Sequence, residues 1–468
     1  MGDIKSYVKA LLSKNGIEIT DSNQQLFDAF TASEENIEKV KQIFNNQNEL
    51  MRDYRLQNRL HDINAQHVHL PNGMVGKKYE ASVDPAALDW NDFTYFRISG
   101  LDQIGLQYSE ETKMIHGTPD SSGDLRILFE FRLAGEADTE IHEKRVALVI
   151  NPDPKSLWKN LPSDRNDPFW KEDNTSASGP LGEKHIVVAS KRGRSHANVG
   201  SFRDDDFAYT YMPENGWSVV AVSDGAGSAK ASRKGSELAV KGVIDYYQTT
   251  FTPELLAQFD AILQEYRGES PAAAQKELNK FLYTYVGGAG HRVHKLLEEF
   301  ATKNEIELRD LHSTLIFTLF KKYDFGYVLL SFGVGDCPIG ILNTDRTEIK
   351  LMNWLDVGEY GGGTRFITMP EIFSSDKFSS RIGFKIMDDF SYLFLMTDGI
   401  YDPKFVVEAN LEKLENWLTF LHDLKGVNDS QEGVNFDPLN PKIEEELSEW
   451  MDFWSPGNHD DRTLAVIF

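Results

Sequence analysis

The residues with chemical potential in this chain are aspartates, and they recur in one place. Three apolar runs end in an aspartate beside a glycine. WSVVAVS meets Asp224-Gly225, LLSFGV meets Gly335-Asp336, and YLFLM passes through Thr397 into Asp398-Gly399. Asp460-Asp461 precedes the apolar run TLAVIF, and Asp204-Asp205-Asp206 precedes FAYTYM. A single Asp-Gly pair is turn chemistry, because Asp tolerates left-handed backbone and Gly supplies positive φ. The whole set suggests carboxylates converging at one end of a sheet. Converging carboxylates repel, which raises their pKa values and costs stability. A divalent cation relieves that repulsion, and oxygen ligands without His or Cys suit Mg²⁺, Mn²⁺ or Ca²⁺. Gly225 would let its carbonyl approach such an ion.

The elements that must position these residues lie in the block 181–468. Strand-like runs (HIVVAS, WSVVAVS, STLIFTLF, YVLLSFGV, FSYLFLM, TLAVIF) alternate with helical stretches near 232–247, 253–266, 271–302, 403–424 and 441–454. Most of those helices begin at a proline, which suits the first helical turn. Long apolar strands separated by helices predict sheets covered by helices. The preceding chain divides into three. Residues 1–70 read as helical, with Ile4, Tyr7, Val8, Leu11 and Leu12 at helical spacing and Thr31/Glu34 as a capping box. Residues 71–152 read as short strands, clearest in the alternation of Leu125, Ile127, Phe129 and Phe131. Residues 153–180, rich in Pro and Trp, read as a linker with a mobile SASGP end.

Composition excludes several classes. The 468 residues carry 49 Lys+Arg against 73 Asp+Glu, a formal charge of −24, which disfavours binding to a nucleic-acid backbone. The one cysteine, Cys337, rules out an intramolecular disulfide and thiolate-rich zinc sites. No apolar run approaches a membrane span, and the N-terminus lacks the pattern of a signal peptide. A cytoplasmic protein without membrane contacts is expected. An EF-hand counted from Asp224 would need Glu at its twelfth position, where Gly235 stands. P-loop, kinase and GxSxG signatures are absent.

Six pieces occur in order: GRSHANVGSFRDDDF, VVAVSDGAGSAKASRKGSELAV, HSTLIFTLF, FGVGDCPIGIL, YLFLMTDGIYD and DDRTLAVIF. This order resembles the metal-dependent protein serine/threonine phosphatases of type 2C (the PPM family), in their divergent bacterial branch. The resemblance covers 181–468. It implies a four-layer α-β-β-α sandwich within an α+β multidomain protein, with metals in a cleft at one edge. The string ISGLDQIGLQYSEETKMIHGTPDSSGD resembles immunoglobulin-like repeats of bacterial proteins and implies a small β-sandwich that binds or positions.

The phosphatase resemblance assigns roles by position. Asp224 would bridge two Mn²⁺ or Mg²⁺ ions, with the Gly225 carbonyl on one of them. Asp398 and Asp460 would complete the first site. Asp204 and Asp205, chosen over Asp206, would flank the second. Asp336 would hold a third, weaker ion. A metal-bridged hydroxide would attack the phosphorus of a phosphoserine or phosphothreonine monoester, with no cysteine nucleophile, so Cys337 reads as buried packing. Most of the family has a phosphate-binding arginine where this chain has Gly200. The divergent branch has a GxSH pattern instead, matched by Gly193 to His196, so Arg194 and His196 become candidates for binding phosphate or donating a proton; plain structural roles compete. Lys230, Arg233 and Lys234 read as a solvated face, and Gly361 to Thr364 as a flap or a plain turn.

The reading is therefore a phosphoprotein phosphatase acting on a serine/threonine kinase or its target, with N-terminal modules that bind a protein partner. The alternative is a non-catalytic phosphatase-fold module. A phosphatase of small molecules is a third.

Overall fold

A computed structural model describes residues 2–268, 271–356 and 363–468. The chain divides into two compact units, Met1–Leu157 and Trp158–Phe468.

The first unit opens with helices α1 (Gly2–Lys14), α2 (Gln24–Ala32) and α3 (Glu34–Ala65). Val8, Phe27 and Val40 form a small core between them. The expected capping box does not form. Thr31 belongs to α2 and donates its hydroxyl to the Phe27 carbonyl, while Ser33 precedes α3. Seven strands follow: β1 (Gly73–Met74), β2 (Tyr79–Ser82), β3 (Phe93–Ser99), β4 (Leu106–Ser109), β5 (Met114–Gly117), β6 (Gly123–Leu133) and β7 (His142–Asn151). They make a sheet in the order β1-β7-β6-β3 and another in the order β2-β5-β4. Inward residues of β6 (Ile127, Phe129, Phe131) are buried with Ile115, Trp90 and, from α3, Ile63. The period-two alternation read from the sequence therefore sets the buried face.

The second unit runs β8 (Asn174–Leu181), β9 (Lys184–Lys191), α4 (Arg194–Val199), β10 (Asp206–Met212), β11 (Trp217–Ser223), α5 (Ser232–Thr250), α6 (Pro253–Arg267), α7 (Pro271–Leu282) and α8 (Gly288–Lys303). It continues β12 (Leu315–Tyr323), β13 (Gly326–Val334), β14 (Ile339–Asn343), β15 (Ile349–Leu351), α9 (Glu371–Ser374), β16 (Ile382–Met387) and β17 (Phe390–Met396). It ends α10 (Asp398–Phe405), α11 (Leu414–Leu424), α12 (Ile443–Trp450) and β18 (Arg462–Ile467). One sheet is ordered β10-β11-β12-β13-β16 and the other β15-β14-β17-β18-β9-β8. Every pairing within them is antiparallel.

Three cores hold this unit together. Val220, Val222, Ile316 and Leu329 from one sheet meet Val188, Ile341, Leu395 and Ala465 from the other. The remaining faces of the first sheet's strands, such as Val219 and Phe317, pack on α5 to α8 through Val243, Phe259, Leu278 and Val293. Those of the second, such as Phe394 and Val466, pack on α10 to α12 through Ile400, Trp417 and Leu447. Strands with both faces buried read as unbroken apolar runs, which is why their alternation is invisible in the sequence.

Three expectations need correction. The SASGP stretch is part of β8, paired with β9 along its whole length, and not a mobile linker end. The stretch expected as one helix from 271 to 302 is broken by a five-residue π-helical turn, Tyr283–Gly287. The helix expected from Pro403 starts at Asp398, with Pro403 inside it, and stops at Phe405 before α11.

Candidate metal centre

The acidic positions lie where strand ends of both sheets come together. β11 pairs with β12 up to Val222↔Ile316, so the residues just beyond each strand are neighbours. The Thr314 N–H donates to the Asp224 carbonyl at 2.7 Å, and the Asp224 N–H donates to Thr314 Oγ1 at 2.9 Å. Gly225 bridges Ser313, and a Cβ on it would lie 2.5 Å from the Asp204 carbonyl oxygen. Only glycine permits that approach. In the other sheet the Thr397 N–H donates to the Thr463 carbonyl at 3.0 Å, and the Thr463 N–H returns to Thr397 Oγ1 at 2.9 Å. This clasp sets Asp398 at the start of α10 and Asp460-Asp461 just before β18.

The two clusters of aspartates behave as one electrostatic group. Burial, then the charges of Asp460 and Asp336, pushes Asp398 up to about 8. Burial and the neighbouring charge of Asp398 push Asp224 well above the usual carboxylate range. Asp205, 1% exposed, is raised by burial and by Asp461, although Thr397 and Thr463 donate hydroxyls to its Oδ2 at 2.9 and 2.8 Å. Burial and Asp461 raise Asp204 to about 7. Asp336 is raised by burial against the pull of a Thr364 hydroxyl donating at 2.7 Å. Among the described residues, Asp398 Oδ1 is buried without a hydrogen-bond partner. A buried carboxylate oxygen left open amid mutually repelling carboxyls fits a hard divalent cation, which would supply the missing positive charge. The residues present therefore fit Mn²⁺ or Mg²⁺.

His196, Asp204 and Asp461 also place one ligand atom each within 4.8 Å of one another. Their bonding makes them a brace instead. Asp461 Oδ1 accepts from the Gly193 N–H at 2.6 Å and from His196 Nδ1 at 2.9 Å, and its Oδ2 accepts from the Asp204 N–H. Burial draws His196 down, but the hydrogen bond and charge of Asp461 outweigh it and hold the ring at about 9. An imidazolium has no lone pair to give a metal. The same bonds keep Asp461 below the usual carboxylate range despite its burial. Asp461 was not singled out from the sequence, because nothing there separates it from Asp460 beside it.

The structure does not bring every candidate to the carboxylates. Arg194 gives its two terminal nitrogens to the carbonyls of Phe453 and Asp452, at 3.0 and 2.6 Å, and lies over Trp454. Asp460 is brought to the cluster from its rim: it is exposed and accepts from the Asp461 N–H at 2.8 Å, and its charge acts on both Asp398 and Asp224. Asp206, set aside in the sequence, pairs with Lys171 at 3.0 Å. Arg233 does not lie on a solvated face: it is buried, paired with Asp167 at 2.7 Å and stacked over Phe202. Cys337 is fully buried against the Thr314 hydroxyl, and burial pushes its thiol up, away from nucleophilic use. Gly200, where the family's arginine was expected, ends α4 in the left-handed region at φ +73°. Gly361 and Gly362 lie outside the described residues; Thr364 reaches Asp336 as above.

The model of the family described as protein phosphatase 2C matches residues 192–452. The chain belongs to the protein phosphatase 2C family. A search of curated proteins finds no match. Among solved structures, the catalytic domain of the serine/threonine protein phosphatase PstP with two manganese ions aligns at 16% identity, over 63% of this chain and 98% of that one, with a TM-score of 0.34. A serine/threonine phosphatase from Staphylococcus aureus aligns at 12% identity, over 62% and 95%, with a TM-score of 0.35. The phosphatase domain with a regulatory-domain fragment of SpoIIE from Bacillus subtilis aligns at 13% identity, over 95% and 96%, with a TM-score of 0.33. In this protein phosphatase 2C chain the family match ends before Asp460 and Asp461, so the brace rests on the geometry alone. Among the described residues no helix is long and apolar enough to cross a membrane.

Proposed function

We propose that this protein hydrolyses phosphoserine and phosphothreonine monoesters with two Mn²⁺ or Mg²⁺ ions. The observation that carries the reading is the convergence of Asp224, Asp398, Asp205, Asp460 and Asp336, with Asp398 Oδ1 buried and unpartnered among the described residues. Asp224 would be shared by both ions and the Gly225 carbonyl would serve one of them; Asp398 and Asp460 would serve one ion, and Asp204 and Asp205 the other. Asp336 would hold a third. Held there, two such ions would supply Lewis-acid chemistry, lowering the pKa of a water and neutralising phosphoryl charge. The chain's own residues do the rest. The Thr397–Thr463 clasp and Thr314 fix the carboxylates before any ion arrives, so little reorganisation remains. His196 keeps its charge through Asp461 at Nδ1, and its Nε2–H, 3.9 Å from Asp204 Oδ2 on the acidic loop, would hold a phosphate oxygen or give its proton to the leaving alkoxide. Arg194 is set aside for this role, because both its terminal nitrogens are anchored on the 452 and 453 carbonyls and its guanidinium lies over Trp454.

The family membership and the three stacked cores support a helix–sheet–sheet–helix sandwich of the type 2C kind for 181–468. The two small sheets near 71–152 are read as an immunoglobulin-like module. Together with α1 to α3 it would select a protein partner, the substrate being a phosphoprotein such as a serine/threonine kinase or its target. The lone buried thiol suits the reducing cytoplasm. The test is hydrolysis of a phosphothreonine peptide with Mn²⁺, with EDTA, and by Asp224→Asn. Turnover that needs the metal and vanishes in the variant is expected. Turnover that survives EDTA or Asp224→Asn would overturn the proposal.

A further inference from the structure

The stretch 158–173, expected as a spacer, is held to the loops that carry the acidic residues. Trp158 packs its ring against His459, the neighbour of Asp460, at 4.4 Å between centroids and tilted by 56°. The Leu161 N–H donates to the Ala197 carbonyl at 2.9 Å, and the Lys159 N–H to Asn198 Oδ1 at 3.0 Å, both in the helix of His196. The deepest contact is Lys171. Its side chain is 12% exposed, and its Nζ is surrounded by four oxygens. These are the Asp205 carbonyl at 2.7 Å, Asp206 Oδ2 at 3.0 Å, the Arg233 carbonyl at 3.2 Å and Ser236 Oγ at 3.3 Å. Ser236 in turn donates to the Asp204 carbonyl. One buried ammonium thus grips the backbone of Asp205 directly and that of Asp204 through a serine.

We infer that Lys171 is a positioning residue for the Asp204–Asp205 pair, and through it for the ion bound on that side. The inference rests on the metal reading given above. Its physical basis is geometric. A carboxylate's place is set by its backbone: the Asp205 carbonyl accepts from the charged ammonium, the stronger kind of hydrogen bond, and the Asp204 carbonyl from the serine hydroxyl that the ammonium holds. Arg203, which also donates to the Asp205 carbonyl, at 2.6 Å, reaches back to the Glu172 carbonyl at 3.1 Å, so the strap and the acidic loop are tied twice. A buried charge with this many partners is costly to place without a purpose beyond packing. Removing such support behind metal ligands lowers affinity by about ten- to a hundredfold.

The test is Mn²⁺ titration of the full chain by calorimetry, with electron paramagnetic resonance of the loaded protein. Lys171→Met and the milder Ser236→Ala are compared with Tyr323→Phe. That control loses a hydrogen bond to Asp260 at the opposite end of β12 from Thr314. Wild type and Tyr323→Phe are expected to bind two ions and give the spectrum of a coupled pair. Lys171→Met is expected to lose one ion's affinity by at least about tenfold and give the spectrum of an isolated ion. Ser236→Ala should move the same way by less. Two tightly held, coupled ions in Lys171→Met and Ser236→Ala would overturn the inference, as would equal loss in Tyr323→Phe. A wild type that binds no Mn²⁺ would overturn the metal reading itself, and the inference with it.

Discussion

Replacing Asp398 with Asn should stabilise the metal-free protein while removing its response to metal. The carboxyl goes from 3.8 in the unfolded chain to about 8 in the fold. An acid whose pKa rises on folding costs stability above its unfolded value, and the cost grows until pH passes the folded value. At pH 7 the gap from 3.8 is about three units, which at roughly 1.36 kcal/mol each is about 4 kcal/mol. The new amide brings two N–H donors where the carboxyl had at most one, and burying one without an acceptor takes back about 2 kcal/mol. A net gain of about 2 kcal/mol remains. For a unit of about 310 residues, whose unfolding entropy is roughly 0.65 kcal/mol per degree, that raises Tm by about 3 °C. The assay is differential scanning calorimetry at pH 7 in EDTA and in Mn²⁺. Wild type should melt below Asp398→Asn in EDTA. Saturating Mn²⁺ should reverse the order, since an ion at a hundred times its Kd contributes about 2.7 kcal/mol to the form that binds it. Between pH 4 and 8 the metal-free wild type should lose stability more steeply than the variant. A variant that melts lower in EDTA, or gains as much from Mn²⁺ as wild type, would refute the reasoning.

Other outcomes follow from the same geometry. Asp461→Ala should cost about 3–5 kcal/mol by chemical denaturation, because it strands the charged His196 and two backbone N–H groups. His196→Gln should remove a stabilisation of about 3 kcal/mol that wild type keeps below pH 6.5 and loses as pH rises through about 9, read as Tm against pH in both proteins. On the acid side that same pair fails as pH falls below 3.8 through the lowered value of Asp461. Gly225→Ala should abolish Mn²⁺ binding in a calorimetric titration, since its Cβ meets the Asp204 carbonyl at 2.5 Å. Thiol reagents should leave phosphatase turnover of the native protein unchanged, because Cys337 is fully buried and is no nucleophile.

Much of the second unit was legible because long apolar strands are hard to mistake, and each ended at a residue with chemistry. Asp224 and Asp398 stand at strand ends, and β-strands fix where their last residues emerge; the choice of Asp204 and Asp205 over Asp206 comes from the family resemblance, and β10 itself begins at Asp206. What stayed hidden depends on direction and on contacts far along the chain. Nothing local says that Asp461 turns inward to brace His196 while Asp460 stays at the rim. Arg194 and Arg233 look like free cations until the carbonyls and Asp167 that hold them are seen. The strap read as a linker because Pro, Asn and Asp mark turns, yet its backbone and Lys171 are tied to residues some thirty to sixty positions on. The capping box failed for the opposite reason: a local motif was overruled when α2 ran on to Ala32 and took Thr31 with it.

The central claim is that the aspartate cluster is a metal centre. It is tested most directly by anomalous diffraction from crystals of the full chain soaked in Mn²⁺. The account predicts two strong peaks, both within bonding distance of Asp224, one beside Asp398 and the other on the side of Asp204 and Asp205. No peak there, or a peak held only between His196, Asp204 and Asp461, would contradict it.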